Sequence, residues 1–374
     1  MTISISRRGL FGAASVGVAA AAAFPCRADA FIGGAEVPLF GPAPGIALLS
    51  RNENPYGPSP KAVAAIGEWA GKGCYYADAG SRKLTEMIAE RFGLTTDHVA
   101  IGSGSTEVLS AAAMAWAGKG AILCPELFWD TTVLYAAKKG AKVKRVALGA
   151  DLGVDLDAMA AAVTDDVGLV HICNPNNPTG MVLDGDALRA FVRKVSPKAT
   201  VLIDEAYMEL TDKPDYSSVA SLVNEGLNVV VTRTFSKIYG MAGLRVGYAI
   251  GAPETIKTIQ GYETSFGGNT AGLAAAIASY EDSAFTTFSK NRIVEARGMI
   301  LDAVKKAGVS ALPSQTNFLY VKVADADAVQ KKMAAKGIHI RGAYGKWTQW
   351  SRVSTGKIED VARYCAALPE AVGA

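Results

Sequence analysis

Lys237 sits in a run whose residue types suit covalent capture of an aldehyde: Thr234-Phe235-Ser236-Lys237-Ile238-Tyr239-Gly240, then Gly243, Arg245 and Gly247. A lysine fixed on a tight loop can form an imine with an aldehyde. The hydroxyls just before it can hold a phosphate. Arg245, eight residues on, can close a phosphate site with two parallel hydrogen bonds. The glycines let backbone pass close to a bulky ligand.

Further strings suit the same chemistry. Gly102-Ser103-Gly104-Ser105-Thr106 follows a short apolar run and reads as the turn into a helix. A helix N-terminus with free N–H groups is an anion site, here through the backbone and hydroxyls of Ser105 and Thr106. Val201-Leu202-Ile203 reads as a buried strand ending in Asp204, with Tyr207 three residues later. Asn174-Pro175-Asn176-Asn177-Pro178-Thr179-Gly180 is a turn-rich loop after another apolar strand, 168–173. Asn52-Glu53-Asn54-Pro55-Tyr56-Gly57-Pro58 is too rich in proline and glycine for regular structure.

Taken in order, these strings resemble the aspartate-aminotransferase superfamily of pyridoxal-phosphate enzymes, most closely the histidinol-phosphate aminotransferases. The resemblance covers about residues 45 to 370. It implies an α/β fold of the aspartate-aminotransferase type, with a large domain around a mostly parallel seven-stranded sheet and a smaller α/β C-terminal domain. It implies pyridoxal 5'-phosphate as cofactor, held by Lys237 as a Schiff base. Asn177 and Tyr207 would bond the cofactor's phenolic oxygen from two sides. Asp204 would keep the ring nitrogen protonated, which makes the ring an electron sink. Ser105, Thr106, Thr234 and Arg245 would hold the phosphate.

The family places an aromatic over the ring where this chain has Phe128 and Trp129, and the spacing to Gly140 favours Trp129. Its R-Y-P-D string, whose tyrosine reaches the partner subunit's cofactor, is matched by Tyr76, with Tyr75 and Ala77 replacing Arg and Pro. Substrate contacts fall on Asn54 and Tyr56 of the N-terminal loop. Arg352 falls on the substrate carboxylate, and Arg341 lies where relatives hold a substrate phosphate. The reaction implied moves an amino group from an amino acid or amino-alcohol phosphate to a 2-oxo acid in a ping-pong cycle. A lyase or decarboxylase on the same fold is the alternative. Tyr344, Trp347 and Trp350 near Arg341 leave an aromatic donor open beside histidinol phosphate.

The elements that must position these residues read as alternating strands and helices. Strands are expected over 121–125, 168–173, 227–231, 317–322 and 337–341. Helices are expected over 60–70 and 81–92, with a long alanine-rich tract over 270–307. The expected division is an N-terminal arm over 31–70, a cofactor domain over 71–265 and an interdomain helix with small domain over 266–374. The family works as a homodimer.

At 374 residues and 50% hydrophobic, the chain can bury a large core. A formal charge of +3 with no basic stripe argues against a nucleic-acid partner. Five cysteines without a C-x-x-C pair and three scattered histidines argue against a metal site. Residues 1–30 read as a targeting segment: Ser6-Arg7-Arg8-Gly9-Leu10-Phe11 resembles the twin-arginine export signal, and Ala28-Asp29-Ala30 suits cleavage. Export would place the enzyme in the periplasm, with no stable membrane association after cleavage.

Overall fold

The computed structural model describes residues 38–265 and 267–373; the twin-arginine segment lies outside the described residues. The chain divides into two units, 1–43 and 44–374. The described residues of the first, 38–43, form bends without helix or strand. The second unit carries everything below.

Its main sheet has seven strands in the order Val99–Gly102, Gly247–Gly251, Val229–Thr234, Thr200–Asp204, Val167–Cys173, Ala121–Pro125, Val143–Val146. Only Gly247–Gly251 runs antiparallel, to both its neighbours. The other six end at one edge, where loops in an open α/β sheet collect ligands. The inner strands are mostly apolar, as suits a sheet covered by helices on both faces, while the edge strand Val143–Val146 carries Lys144 and Arg145. Alternate residues serve opposite cores: Val201, Ile203, Val229 and Val231 on one side, Leu202 and Val230 on the other.

Two sequence expectations shift here. The strand before the lysine was expected over 227–231 but runs Val229–Thr234. Gly226, at φ +70°, turns the chain just upstream, so pairing starts later and continues to three residues before Lys237. The alanine-rich tract is two helices, Thr270–Tyr280 and Ser283–Lys306. The Asp282 side chain between them accepts the Phe285 amide at 3.4 Å and starts the second helix.

A smaller body has its own core, with Ile300, Leu319, Val321, Val353 and Leu368 buried together. Phe318–Lys322 pairs antiparallel with Trp350–Ser354 and with Ser310–Ala311. The N-terminal arm joins this body: Ala47–Leu48 pairs in parallel with Ile338–His339, and Ala47 and Leu49 enter its core. The strand expected over 337–341 stops at His339; Arg341 instead forms an isolated antiparallel bridge with Arg352.

One ion pair is buried under the site edge. Glu205, fully buried, accepts from Arg233 at 2.8 Å, from the Ser218 hydroxyl and from the Val219 amide. A buried carboxylate persists only when its oxygens are so satisfied. These bonds tie the turn after Asp204 to the neighbouring Val229–Thr234 strand, and so to the approach to Lys237.

Candidate active site

Asp204 ends its strand, Asn177 lies four residues beyond Cys173, and Lys237 three beyond Thr234. Parallel strands therefore deliver all three to one edge. Asp204 is buried; its Oδ1 accepts the Ala206 amide and the Thr232 hydroxyl, each at 3.2 Å. Burial pushes its carboxyl up to about 6, against the pull of those two donors and the Lys237 amine.

Lys237 is half-buried and donates from Nζ to the Asn52 carbonyl at 3.1 Å, with Nζ 5.6 Å from the Tyr207 ring centre. Burial, then the nearby Arg352 charge, lower its ammonium to about 8, while Glu53 and Asp204 oppose the shift. A lysine so tuned is partly neutral near neutral pH and is a competent nucleophile.

Tyr207, Asn177 and Arg352 form one buried group. Asn177 Nδ2 donates to the Tyr207 hydroxyl at 3.3 Å, and Arg352 Nη1 donates to Asn177 Oδ1 at 2.6 Å. Arg352 Nη2 donates to the Ser50 carbonyl at 2.7 Å, and its buried Nε has no partner among the described residues. Arg341 is exposed; its guanidinium lies 5.3 Å from the Tyr344 ring, and that of Arg352 lies 5.6 Å from the same ring.

The phosphate side is built of backbone. Ser105 and Thr106 open the helix Ser105–Ala117, whose first N–H groups have no intrahelical acceptor. Arg245 reaches it by adopting φ +53°, which few non-glycine residues do. Its Nη2 donates to the Ser103 carbonyl at 3.3 Å and its Nη1 lies 3.4 Å from the Ser236 hydroxyl. A Cβ on Gly104 would fall 2.2 Å from Arg245 Nη2, and one on Gly247 would fall 2.1 Å from the Ser105 amide nitrogen. Both positions require glycine so that helix end and arginine can approach. Ser236 Oγ also accepts from Thr234 Oγ1 at 2.9 Å, so both hydroxyls before the lysine stand in one bonded group with Arg245. Helix terminus, arginine and hydroxyl make a dianion cradle at the sheet edge that also carries the buried Asp204 carboxyl and the Lys237 amine, a set of groups that fits pyridoxal phosphate.

Other expected site residues go elsewhere. Asn54 donates to the Ile238 carbonyl at 2.9 Å and to Ser289, so its side chain braces the loop after Lys237. The Tyr56 hydroxyl accepts the Ile358 amide at 3.1 Å and its ring meets Phe288 edge-on. Phe128 is buried edge-on against His171, which leaves half-buried Trp129 as the residue able to face a ligand. Tyr76 is 74% exposed, outside the buried group. Asn52, Ser354 and Asn317 bond directly into the site without having been singled out in the sequence.

A family model for class I and II aminotransferases matches residues 44–368. Histidinol-phosphate aminotransferase 2 of Ralstonia nicotianae is 38% identical over 336 residues, covering 87% of this chain and 89% of the relative. An aromatic amino acid aminotransferase of Cutibacterium acnes is 36% identical over 327 residues, 87% of this chain and 92% of the relative. Among solved structures, the histidinol-phosphate aminotransferase of Sinorhizobium meliloti in complex with pyridoxal-5'-phosphate superposes with a TM-score of 0.82 at 30% identity, covering 88% of this chain and 91% of the other.

Proposed function

The chain belongs to the class I and II aminotransferases and has the aspartate-aminotransferase fold, and from that premise we propose which substrates it takes and where it works. It is a pyridoxal-phosphate-dependent aminotransferase. The observation that carries the substrate reading is Arg352: buried, bonded to Asn177 and Ser50, paired with no carboxylate among the described residues, and with an Nε left over. An incoming α-carboxylate supplies the missing anion.

When bound, pyridoxal phosphate supplies the electron sink for bond breaking at the substrate α-carbon. Asp204 holds the proton on the ring nitrogen. Asn177 and Tyr207 steady the phenolic oxygen. Arg352 orients the substrate carboxylate, and Lys237 Nζ takes and returns the α-carbon proton. Half-reactions test the class: an amino acid alone should convert stoichiometrically to its keto acid, whereas a lyase would release ammonia or carbon dioxide with turnover.

For the donor we propose a flat ring, the chemistry common to histidinol phosphate and aromatic amino acids. The Tyr344 ring lies 5.3 Å from the Arg341 guanidinium and 5.6 Å from that of Arg352, and Tyr320, edge-on to Tyr344, stacks on Trp350 at 5.2 Å. Arg352→Ala should lower kcat/KM about 10²–10³-fold in the half-reactions of an amino acid and of a 2-oxo acid, which carry the carboxylate, as for one partner of a buried charge pair; histidinol phosphate has none and its half-reaction should be spared. Arg341→Ala should cost an uncharged aromatic donor less than about fivefold, as for an exposed charge. A large Arg341 effect confined to histidinol phosphate would assign it to the phosphate; a large effect on phenylalanine would sink the ring-only pocket.

We also propose a homodimer and export. Exposed Trp69, Tyr75 and Tyr76 border an apolar groove of 580 Å³ with Leu273 and Ile277, a surface that a second copy would cover. Among the described residues no helix is long and apolar enough to cross a membrane. Arg7→Lys with Arg8→Lys should hold the protein in the cytoplasm; periplasmic accumulation of that variant in fractionated cells would remove the export reading.

A further inference from the structure

Asn52 has left-handed backbone, φ +56°, and is buried. Asparagine is among the few side-chain-bearing residues that adopt this conformation readily. Every polar atom of its side chain is used. Nδ2 donates to the Tyr207 hydroxyl at 3.1 Å, and Oδ1 accepts the Ser354 hydroxyl at 2.7 Å. Its amide donates back to Ser354 Oγ at 2.8 Å, and its carbonyl accepts both Lys237 Nζ at 3.1 Å and Asn317 Nδ2 at 2.9 Å. Ser354 stands two residues beyond Arg352 on one strand. The bonds therefore close a ring: Arg352 to Asn177, Asn177 to Tyr207, Asn52 to Tyr207, Ser354 to Asn52.

The direction of each bond around this ring follows from its members. A guanidinium only donates, so Asn177 must turn its oxygen to Arg352 and its amide nitrogen to Tyr207. Ser354 accepts the Asn52 amide and donates its own proton to Asn52 Oδ1, an arrangement that turns Asn52 Nδ2 to Tyr207. The phenol oxygen thus receives two N–H groups. Its own proton is excluded from both directions, and among the described residues no acceptor takes it. Burial also raises the Tyr207 phenol, so it stays protonated.

We propose that Asn52, locked by Ser354, is a positioning residue that fixes the Tyr207 hydroxyl as a donor to the phenolic oxygen of bound pyridoxal phosphate. The inference rests on the cofactor reading above. It links the arginine that takes the carboxylate to the group that sets the cofactor's proton affinity, through side chains on four separate segments. A donor on the phenolic oxygen stabilises its anion and lowers the pH at which the bound chromophore loses its proton. Removing or reversing that donor raises it.

The test is a pH titration of the visible band of the reconstituted enzyme. Asn52→Asp keeps a residue that tolerates positive φ but offers Tyr207 an acceptor, drawing its proton away. The midpoint should rise by about one pH unit, tenfold in the proton equilibrium. Asn52→Gly, which also tolerates the backbone, and Ser354→Ala should move it the same way by less. The same changes made on Tyr207→Phe should add nothing, because the two sites act through one bond. A shift of equal size persisting without the tyrosine hydroxyl would mean that charge or general loosening moves the midpoint, and would overturn the proposal. So would an unmoved midpoint in the three single variants. If Asn52→Asp does not fold, the glycine and serine variants decide it alone. A wild-type protein with no titrating band would instead remove the cofactor reading.

Discussion

Lys237→Ala should reduce turnover by at least about 10⁴-fold, since it removes both the covalent anchor and the proton carrier; positioned proton transfer alone contributes about 10²–10⁴-fold. The cofactor should still bind, because the helix end at Ser105, the Ser236 hydroxyl and Arg245 form a cradle that does not include Lys237 Nζ. Borohydride reduction of the wild type should leave a pyridoxyl group on Lys237, read by mass spectrometry of a digest. The alanine variant should release its cofactor on denaturation after the same treatment. A label on another lysine in the wild type would refute the assignment. The amine also predicts a pH dependence. Its ammonium is lowered to about 8, first by burial and then by Arg352. Only the neutral form attacks, so covalent uptake by cofactor-free protein should quicken about tenfold per pH unit up to 8 and level off above.

Several core strands were legible because apolar runs alternate with helical patterns along the chain, whereas the seven-stranded sheet came from the family resemblance; the polar edge strand Val143–Val146 and the antiparallel Gly247–Gly251 were not read. The Asp204, Asn177 and Lys237 strings were legible for a related reason: each is local, and its strand sets its position. What the sequence concealed is contact between distant segments. Asn52 and Ser354 are 302 positions apart, and nothing local marks either as a partner of Tyr207. Asn54 and Tyr56 belong to a recognisable string, yet their hydrogen bonds go to Ile238, Ser289 and Ile358, on segments far away in sequence. In sequence Gly104 reads as part of a turn into a helix and Gly247 as room for a bulky ligand; in the fold Gly104 makes room for Arg245 and Gly247 for the helix end at Ser105, where a Cβ would not fit.

Asp204→Asn separates two roles that one carboxylate combines, and its two effects should have opposite signs. An amide cannot hold the ring-nitrogen proton by charge, so turnover should fall about 10²–10³-fold, as when a preorganised electrostatic group is lost. The fold should survive, because an amide oxygen can still accept from the Ala206 amide and the Thr232 hydroxyl. In the cofactor-free protein the change should stabilise. Burial raises the Asp204 carboxyl from 3.8 to about 6. A carboxyl raised in the folded state keeps its proton there while the unfolded chain has lost it. Stability contributed by this group is therefore whole below pH 4 and lost as pH rises through 6. The full loss corresponds to up to about 3 kcal/mol for a shift of roughly two units. Asparagine has no such slope. The stability gap between the cofactor-free variant and wild type, measured by urea unfolding, should open between pH 4 and 6 and hold constant above. A gap that does not change with pH would show that the carboxylate is not held in a low-dielectric site. Unchanged turnover would show that Asp204 merely ends its strand.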